Sequence, residues 1–344
     1  MNYATPLHRV AWPFADAADA YRYSTNVVGG RTAIETPAGR WGDTVTAVDA
    51  TYETVLAYRR AILDRDPRRC AVAPHLRVAA WDALLCVLDL LAADHPDAMT
   101  LHREPGPAFR WENRRSGTVQ RFAFGDESSL PCPPLEFAAR EAVEDLFLLE
   151  PRNGSLVLEG AASTFAGSWS PVFDLGMTFD ELHGPVPRLH GMGIVERTER
   201  FLLALPPGEI VRRTNWSLHD AGDLDASLEN AHRHRPAQAM GTGNLDLGEL
   251  RLRIEVQHLI RLPMSGCLLF LIENQLCPLA AIATIPAWAH QLATVLERLP
   301  DDIAAYKNLL GFRPEVVAWL RENSRKSSEQ AGTERDSLKP EHRH

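Results

Sequence analysis

A chain of 344 residues, 45% hydrophobic and 24% charged, has the balance of a globular protein and the length of one large domain or two closely packed ones. A formal net charge of -9, with no face that concentrates Lys and Arg, argues against a general nucleic-acid binder. The five cysteines, Cys70, Cys86, Cys132, Cys267 and Cys277, contain no CxxC pair, which excludes a zinc ribbon or a resident iron–sulfur cluster and fits reduced thiols.

Residues 1–45, rich in Gly, Pro and aromatics, read as an extended arm that packs through Trp12, Phe14, Tyr21, Tyr23 and Trp41. No basic-then-apolar signal opens the chain, so a cytoplasmic protein is expected. Apolar residues at helical spacing predict helices over 45–65 and 76–93, with Asp66-Pro67 and His95-Pro96 as stops. Between 99 and 126, alternating aromatics suggest a hairpin-like excursion. Pro131 to Pro134 then introduces a helix over 135–149. Glu144 and Asp145 within it read as a solvated face, because sequence neighbours on a helix point in different directions.

Asn153-Gly154 marks a turn before a short strand at 155–158. Thr178-Phe179-Asp180-Glu181 is a capping box, so a short helix should start at Thr178, and Gly184-Pro185 ends it at once. That places His183 in its last turn, either as a metal ligand or as a helix-end cation; spacing alone favours the cation. An amphipathic helix follows over 194–205. The strand at 209–218 puts Arg213 and Asn215 on one face. Residues 220–248 form a polar loop in which His232 and His234 share no helical face.

The segment 249–275 reads as two strands joined by Pro263-Met264-Ser265-Gly266. In its first strand Leu250, Leu252, Ile254 and Val256 alternate with Arg251, Arg253, Glu255 and Gln257, and the ordinary expectation is a solvated face with cross-strand ion pairs. The apolar stretch 276–289 is short of a bilayer span and carries Pro278 and Pro286, so no membrane segment is expected. Helices over 287–299, 301–310 and 314–323 close the chain, and 324–344 should be a disordered tail. The fold class is α+β: an N-terminal arm and helical region over 1–150, then an antiparallel sheet of about five strands with closing helices over 151–323.

Several pieces, in order, resemble one family. They are Glu144-Asp145-Leu146, Phe165 to Trp169, Leu182-His183-Gly184-Pro185-Val186-Pro187, Glu199-Arg200-Phe201-Leu202, Arg213-Thr214-Asn215-Trp216, and Leu250 through Arg261-Leu262-Pro263. The set is similar to the haem-dependent oxidative N-demethylase alpha-subunit-like family over about residues 10–325. Two positions depart from the family pattern, Val256 for an arginine and His258 for a threonine, and either would alter charge around the cofactor or substrate.

The resemblance implies a PAS-like sheet holding haem b, with O2-dependent demethylation of a secondary amine such as dimethylamine. Electrons would come from separate flavin and iron–sulfur subunits, since the chain has neither a dinucleotide glycine motif nor a cysteine cluster. On this reading His183 is the iron ligand, with His190 in reserve. Arg213 and Arg261 pair with haem propionates, and Trp216 counts with the cofactor residues. Glu255 anchors or deprotonates the ammonium, and Asn215 positions substrate or oxygen. The rival readings are a haem-binding sensor or electron-transfer module, and a scaffold without haem.

Overall fold

The computed structural model describes residues 3–14, 21, 25–220, 222–233 and 246–337. Tyr23, His234 and 338–344 lie outside these, as does the side chain of His232. In chain order the elements are β1 (Val28–Gly29), β2 (Ile34–Thr36), β3 (Gly39–Trp41), α1 (Tyr52–Arg65), β4 (Cys70–Val72), α2 (Arg77–Asp94), β5 (Met99–Arg103), β6 (Ala108–Asn113), β7 (Thr118–Ala123), α3 (Pro134–Glu141), β8 (Asp145–Arg152) and β9 (Ser155–Ala162). There follow α4 (Pro171–Asp174), α5 (Phe179–His183), α6 (Ile194–Leu203), β10 (Ile210–His219), β11 (Arg251–Arg261), β12 (Leu268–Pro278), α7 (Leu279–Ala283), α8 (Pro286–Glu297), α9 (Asp301–Tyr306) and α10 (Arg313–Ser337). No helix among the described residues is long and apolar enough to cross a membrane.

One antiparallel sheet of seven strands, in the order β1-β10-β11-β12-β8-β9-β4, organises the chain. Five long strands form its middle. The count expected from sequence falls short because β1 and β4, two and three residues long, are too brief to show a period. The boundary expected at residue 150 falls inside β8, and the sheet takes strands from both sides of it. The excursion at 99–123 is a three-stranded sheet rather than a hairpin. Helical backbone continues past Asn323, where the composition shows no apolar face, as far as Ser337.

The helix expected over 135–149 stops at Glu141. Ala142 is extended at φ -115, ψ 148, and the run Leu146-Phe147-Leu148-Leu149 is a strand buried on both faces. A short continuous apolar run fits either element, so only its surroundings decide. On one face of the sheet α2 and α3 pack Trp81, Leu84, Leu88 and Phe137 against Leu146, Leu148, Leu269 and Leu271. Further along that face α8 and α10 cover Leu252, Ile254, Val256 and Cys277. The opposite face meets α5 and α6 through Phe179, Val195, Leu202, Val211 and Leu259.

Glu144 and Asp145 are fully buried, not solvated. Oε1 of Glu144 accepts from the Ala47 N–H at 2.8 Å, and its Oε2 has no partner. Burial, then the nearby Glu273 carboxylate, push its pKa up to about 8. The folded state therefore holds a proton that the unfolded chain, near 4.5, releases earlier. Stability from this group is complete below about 4.5 and is lost as pH rises through about 8. Between those limits Glu144 should contribute a fall of about 1.4 kcal/mol per pH unit. Urea unfolding of E144Q at pH 5, 6.5 and 8 is expected to show a flatter decline than the parent; equal declines would refute the protonated carboxyl.

Candidate functional site

The register of β10 against β11 places Arg213 opposite Gln257, Asn215 opposite Glu255 and Ser217 opposite Arg253. These six residues share one sheet face, because partners across a ladder point the same way. The face is largely covered. Arg253 and Gln257 are buried, and Arg213, Asn215 and Glu255 are half-buried.

Within it the polar atoms form a chain. Arg213 donates through Nε to the Thr25 carbonyl at 3.1 Å and through Nη1 to Gln257 Oε1 at 2.8 Å. Gln257 Nε2 donates to Glu255 Oε2 at 2.8 Å, and Asn215 Nδ2 to the same oxygen at 3.3 Å. Arg253 anchors the far end, donating to Leu224 O at 3.0 Å, to Asn274 Oδ1 at 2.6 Å and to the carbonyl of Phe165. Among the described residues nothing donates to Glu255 Oε1, and Arg213 Nη2 donates to nothing. One carboxylate oxygen and one guanidinium edge are thus left open in a half-buried setting, where such groups seek partners.

His183 comes to this face from α5. The capping box forms as expected: Thr178 Oγ1 accepts from the Glu181 N–H at 3.3 Å, and Glu181 Oε2 accepts from the Thr178 N–H at 2.8 Å. His183 Nδ1 lies 2.7 Å from the Phe179 carbonyl, which can only accept, so Nδ1 carries the proton. Burial holds the imidazole below its ordinary pKa despite that bond, and the Arg213 charge lowers it further. The ring is therefore neutral near pH 7, and Nε2 presents a lone pair that no described residue uses. A bond from the far nitrogen to a carbonyl is the arrangement that orients a metal-binding imidazole.

The other residues expected here lie apart. His190 is on the surface, its Nε2 2.9 Å from Asp180 Oδ1. Arg261 shares the face of Glu255 but sits four residues, roughly 13 Å, along β11 from Gln257. Leu259 and Val211, both in the apolar cluster under α6, stand between them. Trp216 faces the other way, its ring packed edge-on to Phe14 at 5.3 Å. Val256 and His258 are also on that opposite face. Val256 is in the core, and His258, lowered to about 4 chiefly by burial, is 3.2 Å from the Gly30 carbonyl. These two departures from the family pattern therefore leave the polar face unchanged.

Sequence reasoning missed Lys307, which follows α9. Its Nζ donates to the Trp216 carbonyl at 2.5 Å and lies 4.7 Å from the centre of the Trp216 ring. One signal was available: only Lys307, Lys326 and Lys339 among the 36 basic residues are lysines. A small cavity lies elsewhere, where β12 parts from β8 beyond Ile272; Tyr3, Asp49, Thr51, Phe165, Glu273 and Asn274 line it.

The family model for haem-dependent oxidative N-demethylase, alpha subunit-like, matches residues 38–317. The chain belongs to this family. In this N-demethylase-like chain the matched span contains the whole polar face, α5 and Lys307. It leaves out the arm residues that stack Trp12 on Trp288 at 4.5 Å.

Proposed function

We propose that this chain is the haem-carrying subunit of an oxidative N-demethylase acting on a small secondary amine, in which His183 Nε2 would hold the iron. The observation that carries the reading is the fixed tautomer of His183, whose Nε2 no described residue uses, on a helix that packs against the sheet face bearing the Glu255 carboxylate. Arg213 Nη2 is the guanidinium edge left for a haem propionate. Haem b supplies the activation of O2, and flavin and iron–sulfur subunits supply the electrons. The seven-stranded sheet is read as the PAS-like platform, in a cytoplasmic protein whose five cysteines are free thiols.

The chain's own residues bind and orient. Glu255 Oε1 accepts an N–H of the protonated amine, while Asn215 and Gln257 hold Oε2 so that the carboxylate cannot swing away. A half-buried carboxylate with one oxygen free is suited to a cation carrying small alkyl groups.

The absorption spectrum of purified, haem-reconstituted protein tests this. A Soret band, its shift on adding dimethylammonium chloride, and formaldehyde release with an electron donor are expected. A band with neither shift nor formaldehyde would make the protein a haem-binding sensor or electron carrier; no band at all would remove haem from the account.

A further inference from the structure

On the side of the sheet away from α5, where α2 and α3 pack, lies a second polar cluster. Glu150 follows Leu146 and Leu148 on that face of β8, since every second residue of a strand points the same way. Glu159 reaches it through an irregularity in the ladder. Leu148 lies opposite Gly160 and Leu149 opposite Leu158, so Glu159 is the extra residue of a β-bulge, a device that re-aims a side chain. His75 enters from the short helical turn Pro74–Leu76 ahead of α2. Three ties hold its backbone there: the Ala73 N–H donates to the Glu159 carbonyl at 2.8 Å, Val72 pairs with Gly160, and Leu76 is buried. One nitrogen of His75 and one oxygen each of Glu150 and Glu159 all lie within 4.8 Å of one another, and His75 Nε2 is 3.1 Å from Glu150 Oε2. Arg152 is the cation the two carboxylates share, 2.7 Å from Glu159 and 3.6 Å from Glu150. One guanidinium between two carboxylates leaves a negative charge over.

We propose that His75, Glu150 and Glu159 form a binding site for a divalent transition metal of the zinc class, separate from the His183 region and independent of haem. Zinc takes imidazole nitrogen and carboxylate oxygen at about 2.0–2.2 Å, which sets neighbouring ligand atoms about 3.0–3.5 Å apart. His75 and Glu150 already stand at that spacing. Bringing in Glu159 needs a shift of about 1 Å among side chains that are in part exposed. Arg152 gives way to the ion; its side chain is 44% exposed and can turn into water. A doubly charged ion in place of a singly charged guanidinium then balances both carboxylates. The imidazole selects against magnesium and calcium, hard ions that take oxygen ligands. Three protein ligands leave a fourth position for water. They come from β8, from β9 and from the turn before α2, so the ion meets its full ligand set only in the folded chain and ties the start of α2 to the sheet.

Calorimetric titration of the purified, chelator-treated full chain with zinc chloride tests the site. Wild type should take up one equivalent that H75A and E159Q each bind at least about tenfold more weakly, since even partners behind the ligands are worth that much. His75 is half-exposed, so H75A is expected to fold as wild type does. R152M, which removes the resident cation, should bind about tenfold tighter than wild type. Magnesium chloride should not compete. His232 with His234, and His342 with His344, offer zinc other nitrogen ligands; H75A retains both pairs, so the difference between the two isotherms is what reads this site. Identical isotherms for wild type and H75A overturn the proposal, as does wild-type protein that binds no zinc. Magnesium that competes on equal terms with zinc also overturns it, by reducing the cluster to ordinary surface acids.

Discussion

H183A is expected to fold and to carry no haem. His183 contributes one hydrogen bond to α5, from Nδ1 to the Phe179 carbonyl, and its loss costs about 1 kcal/mol. The capping box and the burial of Phe179 that seat the helix stay in place. What the substitution removes is an imidazole whose Nε2 is unprotonated and used by no described residue. Soret absorbance per mole of protein should fall to background while the far-ultraviolet circular dichroism is unchanged. H190A serves as the control, because His190 lies on the surface against Asp180. Full haem with an unaltered spectrum in H183A would sink the assignment, and loss in H190A instead would transfer it.

The largest loss of stability is expected at the pair Arg59 and Asp145, both buried, 2.8 Å apart. Asp145 also accepts from Ser163 Oγ at 2.7 Å and from the backbone N–H groups of Thr164 and Phe165 at 3.0 Å each. Arg59 donates as well to Val143 O at 2.6 Å and stacks over Phe165, 4.6 Å from its ring centre. Removing either partner strands a charge and, for Asp145, three further donors. R59M and D145N should each cost about 3–5 kcal/mol, read from urea unfolding. The double variant should cost less than the sum, because the second change no longer strands a charge, although the other donors to Asp145 still lose their acceptor. Single variants that lose less than about 1 kcal/mol would show that water reaches the pair. The same bonds fix residues 163–165, whose Phe165 carbonyl receives Arg253, so D145N is also expected to loosen one end of the polar face.

The sequence made some of this legible and hid the rest for identifiable reasons. Strict alternation in β10 and β11 foretold which side chains share a face, because the period of a strand is exact. It could not foretell that the charged side would be covered; Arg253 is buried against the carbonyls of Leu224 and Phe165, distant in sequence. The capping box located α5 because all its determinants are local. The end of α3 was misplaced because an apolar run looks alike in a buried strand and a buried helix. Of the proposed site residues, the structure puts Arg213, Asn215 and Glu255 on one sheet face, and α5, which carries His183, packs against that face. Trp216 was grouped with them by adjacency in a motif, although the next residue along a strand points to the other side. Lys307 escaped notice because its partners lie more than ninety positions away on β10.

The outer rim of β10 has a further consequence. Beyond Arg212 no strand among the described residues lies alongside it, yet the Asn26 side chain binds both the N–H and the C=O of Thr214, and Lys307 takes the carbonyl of Trp216. Two side chains thus stand where a neighbouring chain would otherwise dock. A lysine at such a rim also penalises any strand that tries to add, since its charge would have to be desolvated. The sheet is in this way guarded against polymerising edge to edge with other copies of itself, even though its longest strands are rich in the residues that favour amyloid.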